Sequence, residues 1–228
     1  MVENGKFIVI DGMDGAGKKT QCDLLAERLL QEGYSVKVPD FPQYGHWSSQ
    51  FVERYLRGEF GGAHEVSAKK ASILYAVDRF EASSWMKQHL SEGGILVSNR
   101  YVSANKGHQL GKITDEGEMR EFLDWLNETE YNIFSLPIPD ITIFLHMAPA
   151  IGQRLVDQKG QREYTKGQKR DIHERDLDHL VNAERAYLFC VDHDPIERWQ
   201  RIICDDGTNP RSRENIHEEV YRIVREIL

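Results

Sequence analysis

A glycine-rich segment near the start of the chain carries residue types and a spacing suited to binding a phosphate chain. It reads, in order, Gly12, Met13, Asp14, Gly15, Ala16, Gly17, Lys18, Lys19 and Thr20. Glycines let consecutive backbone N–H groups turn toward a phosphate, and a helix that starts at this point adds the positive end of its dipole. The Gly17-Lys18 pair places an ammonium group where it can reach the β- and γ-phosphates of a nucleotide.

The surrounding sequence favours a nucleotide-binding loop over a plain glycine turn that joins a strand to a helix. The apolar run Phe7–Ile10 precedes the loop directly, and a helical pattern follows it. One position departs from the usual loop, because Lys19 stands where Ser or Thr normally faces Mg²⁺ and Thr20 comes one place later. Direct coordination of the metal by that hydroxyl is therefore not expected.

A second segment, residues 159–171, is strongly basic within an acidic chain. Its cations are Lys159, Arg162, Lys166, Lys169 and Arg170. Phosphoryl transfer needs cations around the migrating group and the exclusion of water, and a basic flap supplies both when it closes. The alternative is a solvated loop between two helices. In a chain with a phosphate loop, we predict a lid over about residues 159–171.

Five apolar runs that alternate with helical patterns are expected to position these segments. The expected strands are Lys6–Ile10, Ser35–Val38, Ile95–Ser98, Ile141–Leu145 and Trp199–Cys204. The expected helices are Thr20–Glu32, Ser67–Leu90, Met119–Glu128, Ala150–Gln158, His173–Val191 and Asn215–Leu228. Such alternation predicts an α/β fold with a parallel sheet covered on both faces and a ligand beyond the carboxyl ends of the strands. We predict one domain over residues 1–228.

Composition restricts the classes of partner and compartment. The chain has 228 residues, of which 40% are hydrophobic, and its 37 acidic and 29 basic residues give a formal charge of −8. A net-negative protein is a poor candidate for broad nucleic-acid binding. Its three cysteines show no zinc or disulfide spacing, which favours a reducing compartment. With no secretory signal or membrane span in the pattern, we expect a cytoplasmic protein without membrane contact.

Three short segments narrow the class of phosphate-loop protein. They are residues 40–45 (Asp-Phe-Pro-Gln-Tyr-Gly), 74–79 (Leu-Tyr-Ala-Val-Asp-Arg) and 98–105 (Ser-Asn-Arg-Tyr-Val-Ser-Ala-Asn). A GTPase is disfavoured, because the Asn/Thr-Lys-x-Asp segment typical of guanine specificity is not found. Together with the phosphate loop and His173-Glu174-Arg175-Asp176, the three segments resemble the thymidylate kinase family in order and spacing.

This resemblance extends over nearly the whole chain and implies a fold and a reaction. The implied fold is that of a P-loop NTPase similar to nucleoside monophosphate kinases: a five-stranded parallel sheet flanked by helices, with a basic lid. The implied reaction moves the γ-phosphoryl group of ATP to dTMP, with Mg²⁺, and gives dTDP and ADP. Members typically form homodimers, and Ile73, Val77 and Phe80 mark a candidate surface on the long helix. The same three side chains could equally pack on the sheet.

The resemblance also implies which residues handle phosphate. Lys18 and Arg100 are implied to be catalytic, because an ammonium and a planar guanidinium suit multidentate phosphate contacts. Asp14 is implied to be a third catalytic residue, near the acceptor phosphate and the metal. Gly15 leaves the loop without an arginine that some members carry, so the lid is expected to supply that cation. The implied ATP-binding residues are Gly12, Gly15, Ala16, Gly17, Lys18, Lys19, Thr20 and Arg162.

A further set of residues is implied to bind the acceptor nucleotide. It comprises Phe41, Tyr44, Tyr75, Arg79, Arg100, Asn105, His108 and Asp171. Tyr75 is implied to stack on the pyrimidine, Asn105 to reach its edge, and Arg79 to bind near the base or the phosphate. Each has an alternative: the aromatic residues could belong to the core, Arg79 could pair with Asp78 or Glu81, and Asn105 could cap a helix.

Three departures from the family pattern keep other functions open. Asn99 stands where an acid usually precedes Arg100, Ala104 replaces a common Ser, and His108 replaces a tyrosine that packs on the deoxyribose. They motivate a kinase for another pyrimidine nucleotide or nucleoside. Loss of charge at Asn99 and of a hydroxyl at Lys19 also motivates a nucleotide-binding regulatory protein with weakened catalysis.

Overall fold

The computed structural model describes residues 5–62, 65–157 and 177–228, and a five-stranded parallel sheet lies at their centre. The strands are β1 Lys6–Gly12, β2 Val36–Lys37, β3 Ile95–Asn99, β4 Ile141–His146 and β5 Trp199–Ile203. Their spatial order is β2-β3-β1-β4-β5. The predicted α/β fold with five parallel strands is confirmed, and β2 is two residues shorter than the four expected.

Helices cover both faces of this sheet. They are α1 Lys18–Gln31, α2 Gln50–Leu56, α3 Ala68–Ser91, α4 Val102–His108, α5 Glu116–Asn127, α6 Pro149–Asp157, α7 Leu177–His193 and α8 Arg213–Arg225. A π-helix, Glu128–Ile133, extends α5, and short 3₁₀ turns cover Trp47–Ser49 and Leu110–Lys112. The sequence pattern did not predict α2 and α4, because a helix of seven residues is too short to display a 3.6-residue period clearly.

Alternating side chains of β1 divide the core into two apolar clusters. Ile8 and Ile10 face α1 and α8, whereas Phe7 and Val9 face the opposite side, where α3, α4 and α5 pack. This alternation is the two-residue period of a strand, and both faces are apolar because both are covered. Both faces of the strand that leads into the phosphate loop are therefore covered by packed apolar side chains.

The register of the sheet brings the predicted functional segments together. Ile10 of β1 pairs with Asn99 of β3, and Gly12 pairs with Leu145 of β4. Parallel strands end at the same edge, so the loop after β1 and the segment after β3 become neighbours there.

Three apolar side chains of α3 point away from the sheet. Ile73, Val77 and Phe80 are 37%, 41% and 51% exposed. The sequence left open whether they pack on the sheet, and in the structure they do not. As for membrane insertion, none of the helices in the described ranges combines the length and the apolar character that a span requires.

Candidate active site

Two glycines of the phosphate loop, Gly12 and Gly15, combine a positive φ with a close backbone contact, so neither can be replaced without strain. Gly12 and Gly15 have φ angles of 144° and 84°. A Cβ on Gly15 would lie 2.4 Å from the carbonyl oxygen of Gly152 in α6, and one on Gly12 would lie 2.2 Å from that of Leu145. Backbone packs directly on backbone here, which fixes the shape of the loop.

Lys18 begins α1 with its ammonium group folded into the loop. Its Nζ donates to the carbonyl oxygens of Gly12 and Met13, each at 3.0 Å, and lies 3.5 Å from Asp14 Oδ1. Burial, and then the charge of Arg100, lower the pKa of Lys18 to about 8. The group thus stays mostly charged at neutral pH, and a phosphate oxygen can replace the carbonyl acceptors.

Arg100 connects the phosphate loop to α4. It follows β3 with a φ of 65°, a left-handed conformation that is uncommon outside glycine and is held by an Arg100 N–H donated to the Ile10 carbonyl at 3.1 Å. Its Nη2 donates to Asp14 Oδ1 at 2.5 Å, and its Nη1 lies 3.0 Å from His108 Nε2. Asp14 therefore sits between the two cations proposed to bind phosphate.

The contact with Arg100 assigns the tautomer of His108. A guanidinium only donates, so Nε2 of His108 must accept, and its proton lies on Nδ1, 3.4 Å from Nε2 of His179. Burial, and then the charge of Arg100, hold the pKa of His108 well below 6.5, so the ring is neutral. His108 acts as an acceptor that helps to orient Arg100.

Asp11 is a buried carboxylate that the sequence analysis missed. Its Oδ1 accepts from the Gly12 N–H at 2.7 Å and from the Tyr187 hydroxyl at 3.1 Å, and its Oδ2 accepts from Ser103 Oγ at 2.6 Å. These bonds tie the start of the loop to α4 and α7. An acid at the end of an apolar strand was the only signal in the sequence.

A cleft of about 360 Å³ opens at the carboxyl ends of β1, β2 and β3, within the range typical of small-ligand sites. The predicted residues that line it are Asp14, Gly15, Gly17, Lys18, Lys19, Thr20, Phe41, Tyr44, Tyr75, Arg79, Arg100, Asn105 and His108. Gly12 and Ala16 lie buried within the loop. Arg162, Asp171 and the predicted lid, 159–171, fall outside the described residues.

The deep end of the cleft is formed by a buried polar cluster. Arg79 donates through Nε to Glu130 Oε2 at 3.0 Å, through Nη2 to Glu130 Oε1, and through Nη1 to the Tyr101 carbonyl at 3.2 Å. Asn105 Nδ2 donates to Glu130 Oε1 at 3.0 Å and to the Ser72 carbonyl at 3.2 Å. Arg79 thus pairs with an acid that the sequence analysis missed, and Asn105 lies within α4 and not at its cap.

Aromatic side chains form the walls of the cleft. Tyr75, on the same face of α3 as Arg79, lies edge-on to Tyr55 with ring centroids 6.2 Å apart. Phe41 is buried against Tyr101 at 5.7 Å, so it belongs to the core and also lines the cleft. Tyr44 is 43% exposed and stands at the rim.

Oxygen donors near the loop could hold a hard cation such as Mg²⁺. Asp40 Oδ1 accepts from Asn99 Nδ2 at 2.8 Å, and the buried Asn99 Oδ1 has no hydrogen-bond partner among the described residues. Burial raises the pKa of Asp40. Lys19 instead bonds Asp23 at 2.8 Å and is largely exposed, so it does not substitute for the missing hydroxyl. Carboxylate and amide oxygens are ligands that suit Mg²⁺.

Comparison with known proteins assigns this chain to a family. The family model described as "Thymidylate kinase" matches residues 10–203, which include the loop and the three further segments. The chain belongs to the thymidylate kinase family. The resemblance in the sequence is thereby confirmed.

Individual relatives within this thymidylate kinase family are distant but cover most of the chain. A thymidylate kinase from Clavibacter michiganensis is 27% identical over 226 residues, 97% of this chain and 93% of that protein. One from Mycobacterium tuberculosis is 28% identical over 174 residues, 75% of this chain and 79% of that protein. The solved thymidylate kinase of Candida albicans has a TM-score of 0.70 at 19% identity and covers 98% of this chain and 92% of its own; it supports the fold.

Proposed function

We propose that this protein transfers the γ-phosphoryl group of ATP to dTMP and gives ADP and dTDP. The observation that carries the proposal is a cleft that joins two kinds of site. One end holds the phosphate loop with Lys18, Asp14 and Arg100, and the other holds the polar pair Arg79 and Asn105 between aromatic walls. Membership of the thymidylate kinase family supports the same reaction.

The protein's part in this chemistry is positioning and electrostatic stabilisation. Phosphoryl transfer requires little covalent chemistry from the enzyme, but negative charge is spread over the migrating group in the transition state. Lys18 would exchange its two carbonyl acceptors for donor phosphate oxygens. Arg100, held between Asp14 and His108, would bridge the donor and acceptor phosphates through its planar fork. Its preset orientation lowers the cost of ordering the transition state.

Mg²⁺ bound with ATP would neutralise phosphate charge, and this chain offers acids to hold it. Asp14 is the first candidate, since it lies inside the loop and lines the cleft. Asp40 is the second candidate. Its carboxylate lies beside Asn99, and residue 99 is the position where the family usually has an acid. Asp40 thereby offers a physical compensation for the charge missing at residue 99.

The acceptor nucleotide is proposed to lie with its base between Tyr75 and Phe41 and its edge toward Arg79 and Asn105. His108 lines the part of the cleft beside Arg100, nearest the sugar and phosphate. Arg162 and Asp171 of the proposed lid complete the binding set. The partners are thus ATP and dTMP, with neither nucleic acid nor membrane.

Two further parts of the proposal concern assembly and location. The exposed apolar face of α3 is proposed to form a homodimer, since three adjacent apolar side chains at a helical spacing lie in solvent in the single chain. The protein is proposed to act as one domain in the cytoplasm. Its three cysteines are all buried and free of disulfides, as expected in a reducing compartment.

A coupled ADP-release assay with ATP and a panel of acceptors tests the proposal. We expect dTMP to be the preferred acceptor over dCMP, dUMP and deoxythymidine. Lys18→Ala and Arg100→Ala should each reduce kcat/KM by at least about 100-fold, since each removes a cation from the developing charge. Lys87→Ala, which removes an exposed cation of α3, is the matched control. Preference for dCMP or deoxythymidine, or tight binding without transfer, would reject the assignment.

A further inference from the structure

Behind the deep end of the cleft lies a carboxylate whose position is set by a rare backbone element. Glu130 belongs to the π-helix Glu128–Ile133 and is completely buried. The π-turn shifts the helical phase, which brings this acid under α3 and α4 at the end of the cleft. Glu130 is not among the residues that line the cleft, so any effect on a ligand must pass through its neighbours.

Those neighbours are the two polar residues that face the proposed base. Oε1 of Glu130 accepts from both Arg79 Nη2 and Asn105 Nδ2, and Oε2 accepts from Arg79 Nε. One carboxylate therefore holds the guanidinium by two bonds and the amide by one. The second N–H of Asn105 goes to the Ser72 carbonyl at 3.2 Å.

These contacts fix which end of the Asn105 amide faces the cleft. A carboxylate and a backbone carbonyl are acceptors only, so the NH₂ group must be the end that contacts both. The orientation of the amide follows from the chemistry of these two acceptors, because the nitrogen and the oxygen of an amide are too similar to be distinguished by position alone. Because both N–H groups are committed, Asn105 offers its Oδ1, an acceptor, to the ligand. Arg79 offers donors from the same end of the cleft.

An acceptor beside a donor is the complement of one kind of pyrimidine edge. Thymine and uracil carry an N3–H donor next to an O4 acceptor, whereas cytosine carries an N3 acceptor next to an amino donor. A site whose donor and acceptor are fixed in one orientation strongly rejects a base with the reverse order of donor and acceptor, because the polar groups of both the site and the base would be left unpaired. If the amide of Asn105 could flip, this discrimination would weaken.

We propose that Glu130 is a positioning residue. It holds the amide of Asn105 and the guanidinium of Arg79 in the orientation that selects pyrimidines with an N3–H. The inference rests on the proposed function for the location of the base, and it deepens that function by naming the origin of its selectivity. Glu130 acts through Asn105 and Arg79 and touches no ligand itself.

Glu130→Gln is the sharpest perturbation of this device. The amide keeps the size of the side chain but offers one acceptor and one NH₂ group, so it cannot accept all three bonds from Arg79 and Asn105. Rotation of the Asn105 amide then becomes competitive. We expect the Kd for dTMP to rise and that for dCMP to fall, so that the preference for dTMP drops at least about tenfold from a wild-type value of about 100-fold or more.

The control removes a second buried acid, one that bonds neither Arg79 nor Asn105. Glu197 is buried and accepts from Lys106 Nζ at 2.6 Å and from the Tyr131 hydroxyl at 2.5 Å, so Glu197→Gln also costs stability beside the π-helix but removes no bond of Arg79 or Asn105. Its ratio of dTMP to dCMP affinity should stay within about twofold of wild type. Folding of each variant is checked by circular dichroism before binding is measured.

Titration calorimetry with dTMP, dUMP and dCMP, in the absence of turnover, decides the inference. A folded Glu130→Gln variant that weakens dTMP and dCMP by the same factor, or a wild type that does not favour N3–H pyrimidines, would overturn it. If Glu130→Gln does not fold, Glu130→Asp decides by the same ratio, because its shorter arm cannot reach both partners. A wild type that discriminates but transfers no phosphate would reject the proposed reaction and leave the role of Glu130 standing.

Discussion

Replacing Gly152 by alanine is expected to destabilise this protein, although the same change stabilises most helices. Gly152 lies inside α6, where the loss of backbone freedom normally makes alanine better by about 0.5–1 kcal/mol. Here a Cβ would lie 2.1 Å from the carbonyl oxygen of Asp14. The phosphate loop and α6 meet backbone to backbone, so no flexible side chain can move to relieve the overlap.

The size of the effect follows from these two opposing contributions. Overpacking of a close contact costs about 1–3 kcal/mol, and from the middle of that range, about 2 kcal/mol, subtraction of the helical gain leaves a net loss of about 1–1.5 kcal/mol. In a chain of this length each kcal/mol lowers Tm by about 2–4 °C, which predicts a fall of about 2–6 °C. The displaced Asp14 also carries the carboxylate that bonds Arg100, so the KM for ATP should rise.

Thermal unfolding and the ATP dependence of turnover measure both consequences. Gln153→Ala, the next residue of the same helix, is the matched control and should change stability by less than about 0.5 kcal/mol. If Gly152→Ala raised Tm, the close contact between α6 and the loop would be wrong. Backbone packing on α6 could then no longer explain the shape of the phosphate loop.

Three further outcomes are expected. The pKa of His108 in the folded state lies below its ordinary value of about 6.5, so on acidification the unfolded chain binds this proton before the folded chain does. The stability that the neutral ring contributes is therefore present above about pH 6.5 and is lost as pH falls below it, at up to about 1.4 kcal/mol per pH unit. The Tm of His108→Gln should accordingly depend less on pH between about 7 and 5 than the Tm of the wild type. Glu197→Gln leaves the buried Lys106 with one of its two carboxylates, and chemical denaturation should show a loss of about 3–5 kcal/mol; a loss below about 1 kcal/mol would contradict the buried network. Phe80→Lys places a charge on the exposed apolar face of α3 and should halve the mass measured by light scattering, whereas an unchanged mass would reject the proposed dimer surface.

Local patterns in the sequence determined the sheet and the phosphate loop. Apolar runs that alternate with helical stretches predict the parallel strands, and Gly12, Gly15 and Gly17 mark the positions where the loop turns through positive φ. These features depend on short-range sterics and on a period of burial, both of which neighbouring residues encode. The motifs at residues 40–45 and 98–105 follow β2 and β3, and parallel strands end at one edge, so these motifs border one cleft; the motif at 74–79 reaches the same cleft from α3.

The tertiary structure alone decided the partners of the buried charges. Arg79 was expected to meet Asp78, Glu81 or a ligand, and it meets Glu130, 51 residues away. Asp11 and Asp40 likewise gain their roles from Ser103, Tyr187 and Asn99, which the fold brings to them.

The physical reason is one of range. Helix, strand and turn preferences are set within a few residues of each position, whereas a buried carboxylate is stable only where distant segments deliver its donors. Ile73, Val77 and Phe80 of α3 show the same division: the sequence predicts their helical spacing, but it does not predict their exposure. The sequence alone predicts a phosphate site after β1, and the packing of α3, α4 and the π-helix decided what faces the proposed base.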